Sequence, residues 1–245
     1  MVGQATAARR VAGEVGSHCG KHKRACRFTR ICPGDGILTC ISRGTSASPP
    51  GSRASYVRLV HEGILGVFRL WVTGEETLAS LWLPGHILGI MATVSDLEPR
   101  PRPGLIIYDV RALAPVTICR LHPDAFLSHV CREPSRAALV MQMLARQSME
   151  NLRLVARPAR KGPEKALAHV LAALAESVGT VAPNGTLLPF CFSHQVLADM
   201  AGMTRSTASR AAQYLRRRGL VRIERKRVLV PSVVKLWDIV EEEFP

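Results

Sequence analysis

Hydrophobic positions along the chain change their period more than once. Between Val57 and Phe126 they come as short apolar runs separated by glycine and proline: "GILGVFRLWVTG", "ETLASLWLPGHILGI", "LIIYDVRAL" and "VTICRL". Runs of this length with turn residues between them predict strands of an antiparallel barrel or sandwich. "EPRPRPG" between two of them is a loop, because its three prolines defeat both helix and sheet. Past Pro134, "SRAALVMQMLARQSMENLRLVAR" takes a helical period until Pro158 stops it. Ala137, Met141, Leu144, Ser148, Leu152 and Val155 fall on one stripe of that helix at roughly 3.5-residue spacing. Such a stripe suits the seam of a two-stranded coiled coil, with Ser148 weakening it, and equally suits a helix lying on its own barrel. A second helix, "EKALAHVLAALAESV", follows "RPARKGP".

The last fifty residues carry the most explicit pattern. Ser193 caps a short helix with Val196, Leu197 and Met200 inward, and Gly202 turns the chain. Thr204 caps a second helix running to about Arg218. That helix buries Ala208, Ala211, Ala212 and Leu215 and exposes Arg205, Ser206, Ser209, Arg210 and Arg217. Gly219 ends it. "LVRIERKRVLV" then alternates with period two around "RK" and predicts a hairpin. Two helices joined by a glycine turn, followed by a basic hairpin, make a winged helix-turn-helix.

Charge sharpens this picture. The chain of 245 residues has a formal net charge of +14, which favours polyanionic partners: nucleic acid or an anionic membrane surface. Between Ser193 and Val230 nine Arg or Lys residues face two carboxylates, so half of the excess lies in 38 residues. A solvated basic face is the plain alternative. Small buried alanines and compact polar residues at the helix start favour groove entry, since base edges are read at hydrogen-bond range. At 47% hydrophobic and 21% charged residues the composition is globular. No apolar run is long enough to span a membrane, and the N-terminus lacks a secretory signal, so a cytoplasmic protein is expected. Nothing in the sequence supports an enzyme: no histidine pairs with a cysteine in a motif, and no glycine-rich nucleotide loop occurs.

The order of parts resembles the regulators typified by the cAMP receptor protein and the fumarate–nitrate reduction regulator, over roughly residues 57 to 240. "GILGVFRLWVTGEETLASLWLPGHILGI" and "MTRSTASRAAQYLRRRGLV" carry the resemblance, the second more specifically. It implies an α+β fold: an antiparallel, jelly-roll-like β-roll sensor, a long central dimerisation helix and a C-terminal winged helix-turn-helix. The boundaries read as an irregular Cys-rich segment at 1–55, the roll at 56–133, the dimerisation helix at 134–158 and the DNA-binding domain at 159–245. The implied partners are a second copy of the chain, double-stranded DNA with a near-palindromic operator, and RNA polymerase. The implied DNA-binding residues are Ser193, Thr204, Arg205, Ser206, Ser209, Arg210 and Arg217, with Arg225, Lys226 and Arg227 on the wing touching phosphate. Arg210 matches the family's base-reading arginine. Ser206 stands where many members have a glutamate, so the half-site cannot be copied from them. The resemblance makes the stripe from Ala137 to Val155 a dimer interface.

Seven cysteines need a place, four of them within the first forty residues. Reduced thiols in a cytoplasmic chain suggest metal or redox chemistry before disulfides. The family's oxygen-sensing branch holds a [4Fe–4S] cluster on three N-terminal cysteines and one from the roll. Cys26 and Cys32 match the spacing of two, Cys119 matches the fourth, and Lys23 stands where the remaining ligand would be, leaving Cys19 or, as a substitute, Cys40. Zinc, a thiol–disulfide switch and cysteines without a common role stay open. Cys131 and Cys191 read as packing residues, and His18 and His22 as surface histidines. A roll that binds a small organic effector or haem is the alternative sensor. The family's nucleotide-binding members use a Gly-Glu pair and an Arg-Ser pair; here Gly89 precedes Ile90 and no Arg-Ser follows, so no cyclic nucleotide is expected.

Overall fold

The computed structural model describes residues 16–18, 26–49, 56–70, 76–90, 108–155, 162–189, 192–224 and 227–241. The proline loop at 98–104, Cys19, His22, Arg100, Arg102, Cys191, Arg225 and Lys226 therefore lie outside the described residues. The chain divides into two compact units, one holding residues 1–76 and 82–145, the other residues 77–81 and 146–245.

The first unit is the β-roll. Its larger sheet runs in the order β1 (Gly16–His18), β2 (Ile37–Ile41), β9 (Val116–Leu121), β4 (Val57–Glu62), β7 (Ile87–Leu88). The smaller runs β3 (Ser46–Ser48), β8 (Asp109–Ala112), β5 (Leu65–Leu70), β6 (Glu76–Trp82), although residues 77–81 of β6 are grouped with the second unit. The pairings recorded within these sheets are antiparallel, as the short apolar runs predict. Alternation along each strand sends neighbours to opposite faces. Leu59, Cys119 and Leu121 join a core with Phe28, Ile31, Phe126 and Val130, whereas Val60 and Ile118 join a core with Leu65, Val67 and Val110 from the smaller sheet.

Two features of this unit differ from expectation. The first fifty-five residues contain three strands and a turn at 27–31 rather than irregular chain alone. Their strands are only three to five residues long and two of them are made of Gly, Ser, Ala and His, which carry no strand signal. The end of the roll segment also holds a helix, α1 (Pro123–Cys131). Pro123 at its first turn and Asp124 against the helix dipole are ordinary start signals. Cys131 is exposed at its C-terminal end and is not the packing residue that the sequence suggests.

One polar group inside the roll is fully matched. Asp109, 2% exposed, accepts from Ser46 Oγ at 2.6 Å and from Arg111 Nη2 at 2.8 Å. Arg111 also donates to Glu76 at 3.1 Å and lies 4.5 Å above the Phe68 ring. Its charge is met on every side, as a half-buried guanidinium requires.

The long helix α2 (Pro134–Val155) runs on as one element across the two units. In the second unit, α3 (Pro163–Val178) is buried on nearly every face from Lys165 to Ala175 and packs against α4 (His194–Ala201), α5 (Arg205–Arg217) and α6 (Val233–Glu241). Its many alanines let these helices approach closely. Trp237 Nε1 donates to Glu176 Oε1 at 2.7 Å, and the Trp237 ring meets His169 edge-on at 5.2 Å. His169 Nε2 in turn bonds the carbonyl of Arg153, near the end of α2. A four-stranded sheet completes the unit in the order β10 (Thr180–Ala182), β11 (Gly185–Leu187), β13 (Arg227–Val230), β12 (Arg222–Glu224). Of its two hairpins, the sequence pattern predicts only β12–β13.

A candidate nucleic-acid interface

The helix pair α4–α5 forms where hydroxyl caps and a glycine turn direct it. Ser193 Oγ accepts from the Val196 N–H at 3.2 Å, and Gly202 closes α4 in the left-handed region at φ 67°. Thr204 Oγ1 accepts from the Thr207 N–H at 3.3 Å and starts α5. Each cap satisfies one of the otherwise unpaired amides of a first turn, an effect of about 1 kcal/mol. Ala208, Ala211 and Leu215 are completely buried beneath α5, and Val196, Leu197, Met200 and Ala201 lie beneath α4. Burying Leu215 alone contributes roughly 2 kcal/mol.

The opposite face of α5 is open. Arg205, Ser206, Arg210 and Arg217 are exposed, while Ser209 and Ala212 are half-buried. The helical pattern predicts Ala212 in the core and Ser209 on the surface; each instead sits on the flank between the two faces. Ser206 Oγ lies 3.0 Å from Thr204 Oγ1, so the helix leads with small hydroxyls and compact side chains. A first turn of that kind, followed by a forked cation one turn later, admits a phosphate at the helix start and a base edge beside Arg210.

Beyond α5 the wing extends the same basic surface. Gly219, at φ 70°, ends the helix, and Arg222, Glu224 and Arg227 are exposed on the hairpin. Gln213, Arg216, Arg217, Arg222 and Ile223 line a cleft of about 410 Å³ between helix and wing. Gln213, Arg216 and Arg222 are additions to the sequence-predicted site; their signal is the side of α5 facing the hairpin, which emerges only once the wing is placed. Arg218, by contrast, donates to Tyr214 Oη at 3.0 Å at the end of its own helix.

The stripe on α2 separates into two. Ala137 and Leu144 are half-buried and pack on the roll core with Phe126 and Val140. Met141 at 64% and Leu152 at 61% are exposed, together with Ala145, Ser148 and Met149. The exposed positions of the helix thus include Met141, Ala145, Ser148 and Leu152, at intervals of four, three and four. The side chain of Val155 lies outside the described residues.

The cysteines implied as cluster ligands gather only in part. Cys32 and Cys119 touch: the buried Cys119 thiol donates to the Cys32 sulfur, which also receives the N–H groups of Gly34 and Gly36. Cys119 is sealed beneath Gly36, where a Cβ would overlap its sulfur. Cys26 borders the same core, but its sulfur accepts from the Phe28 N–H at 3.4 Å within its own turn. Cys40 is exposed, 4.0 Å from Thr117 Oγ1. Among the described residues no three His, Cys, Asp or Glu side chains converge as a metal-ligand set. A [4Fe–4S] cube needs four thiolates held apart around it, one for each iron. Among the described cysteines, Cys32 and Cys119 are free thiols in mutual contact, one of them under a glycine backbone, and are not spread as the ligands of that group would be.

A helix-turn-helix with a basic wing, its second helix open along one face, defines a DNA-binding protein of the winged-helix class. Residues 165–239 match the Crp-like helix-turn-helix domain. The chain is 24% identical to the global nitrogen regulator of Synechococcus elongatus over 79% of its own length and 85% of that protein's. It is 23% identical to the CRP-like cAMP-activated global transcriptional regulator of Mycobacterium tuberculosis, over 79% and 84%. The fold matches a CRP-family transcriptional regulator from Thermus thermophilus with a TM-score of 0.63 at 22% identity, covering 83% of this chain and 97% of that one. The chain thus carries a Crp-like helix-turn-helix domain and is similar along most of its length to transcription regulators.

Proposed function

We propose that the chain acts as a homodimer that reads a near-palindromic duplex operator, each subunit placing α5 in the major groove. The observation that carries this reading is the two-faced character of α5: Ala208, Ala211 and Leu215 fully buried, Arg205, Ser206 and Arg210 exposed on the other side. Arg210 takes the base edge, a guanine by the fit of its fork to N7 and O6. Thr204, Ser193 and Arg217 hold phosphates, joined by Arg227 and by its sequence neighbours Arg225 and Lys226. Phosphate contacts fix register; the base contact supplies sequence.

Dimerisation through α2 supports the reading, because a single helix-turn-helix covers too few base pairs to find one site. Met141, Ala145, Ser148 and Leu152 form the seam. The small residues Ala145 and Ser148 between two large apolar ones make it a weak zipper, suited to regulation. As a reader of chromosomal DNA the protein works in the cytoplasm, and RNA polymerase is its expected partner at a promoter.

Its signal is neither a cyclic nucleotide nor an iron–sulfur cluster in this reading. Ile90, buried, follows Gly89 where a ribose-binding carboxylate is needed, and the Cys32–Cys119 contact speaks against ligands spread around a cube. A small organic effector acting on the roll is the signal left in place. No observation favours haem.

Selection from random duplex DNA tests the DNA-binding half. Two half-sites about one helical turn apart are expected, and binding without sequence preference at physiological salt overturns it. Anaerobically prepared protein is expected to be colourless and free of stoichiometric iron and sulfide; a bound cluster overturns the sensor half.

A further inference from the structure

Arg58 on β4 and Arg120 on β9 are direct partners across the antiparallel ladder. Alternation turns both to the face that carries Val60 and Ile118, away from Leu59 and Cys119. Opposed residues hold their Cβ atoms about 5 Å apart, and like charges placed there repel. Arg58 is 9% exposed. Burial first, and then the charge of Arg120, push its guanidinium down to about 10.

Arg111 in the same unit shows what a half-buried arginine ordinarily has: Asp109, Glu76 and an aromatic face. Among the described residues Arg58 has none of these. Among the described residues no hydrogen bond or ion pair holds its guanidinium, and Tyr56 is the one titratable group that favours its charge. The Tyr56 ring is already engaged by Arg120, whose guanidinium lies 4.8 Å from its centroid. Leu88, opposite Arg58 on β7, and Ile37, opposite Arg120 on β2, flank the pair with aliphatic residues.

We propose that Arg58 and Arg120 form a binding site for a small oxoanion, the phosphate or carboxylate group of a dissolved organic molecule. Two guanidinium forks side by side match the oxygens of such a group in paired hydrogen bonds. The anion supplies the counter-charge that no described residue gives Arg58. Burial selects the size of the ligand: an acidic side chain on another protein cannot reach a guanidinium so enclosed, whereas a small molecule can. Leu88, Ile37 and the Tyr56 ring accommodate the organic remainder. The site stands on the roll alone; that its ligand is the regulator's effector rests on the DNA-binding reading.

The test uses the full chain exchanged into chloride, with inorganic phosphate or succinate added at constant ionic strength. Wild type is expected to bind one of the two saturably, one per chain, by calorimetry, and to gain several degrees in thermal midpoint. A response to phosphate alone assigns a phosphate group, and to succinate alone a carboxylate. Arg58→Met is expected to abolish the response while folding at an equal or higher midpoint in chloride, because it removes an uncompensated buried charge. Arg120→Met, at the more open position, is expected to weaken binding at least tenfold and guards against a folding defect in the first variant. Arg210→Ala is expected to keep the response, which separates this site from the basic face of α5. Wild type responding to neither anion, or responding no differently from Arg58→Met, overturns the proposal whatever the outcome of operator selection.

Discussion

The thiol of Cys119, 0% exposed, donates a hydrogen bond to the sulfur of Cys32, 87 residues earlier in the chain. This bond is the largest influence on Cys32, whose pKa falls from 9.0 to about 6 against the opposing effects of burial and Asp35; the Gly34 and Gly36 amides lower it further. Alkylation by iodoacetamide followed by mass spectrometry should show Cys32 reacting with a pH midpoint near 6, and Cys119→Ala should move that midpoint toward 9. Folding depresses this pKa, so the associated stability is complete above pH 9 and is lost as pH falls through 6. Denaturant titrations of wild type and Cys32→Ser should therefore separate in that window, with wild type gaining as pH rises.

Arg210 and Arg227 should fail differently. Arg210→Ala is expected to cost about 1–3 kcal/mol at one base position and to flatten preference there. Arg227→Ala is expected to weaken binding evenly across sequences and to reduce the salt slope by about 1. Binding isotherms on selected and mismatched operators at several salt concentrations distinguish the two.

Met141→Glu places a charge in the open seam of α2. Sedimentation should show a dimer weakened by about 2 kcal/mol or more, roughly thirtyfold in Kd, with the monomer's circular dichroism unchanged. Leu144→Glu would instead unfold the first unit, because Leu144 packs on its core. A loss of dimer with intact fold in Leu144→Glu would return that residue to the seam.

Thr204→Ala removes the hydroxyl that starts α5. Chemical denaturation should show a loss of about 1 kcal/mol, and Thr204→Asn should restore most of it.

The second unit is the more legible in sequence because its instructions are local. Ser193, Gly202, Thr204 and Gly219 mark element ends within twenty-seven residues, and all four perform the roles their chemistry suggests. The roll is held by pairings between distant strands, such as Ile37 with Arg120 and Arg58 with Leu88, which no local period encodes. The stripe on α2 shows the limit of periodicity. A 3.5-residue spacing locates the apolar face, but Leu144 and Ala145 differ by one position and point to different neighbours. Cys32 and Cys119 can be singled out by residue type, whereas their mutual contact depends on the roll closing. The Arg58–Arg120 pair carries no signal at all, since each is one arginine in a chain of many.

His169 ties the carbonyl of Arg153 to the ring of Trp237, and Trp237 is anchored to Glu176. The last turns of α2 and the reading head are thereby clamped into one rigid lever. In a twofold pair, a few degrees of rotation between the two copies of α2 then passes undamped to the gap separating their recognition helices, so the spacing of operator half-sites acts as a gauge of the crossing angle.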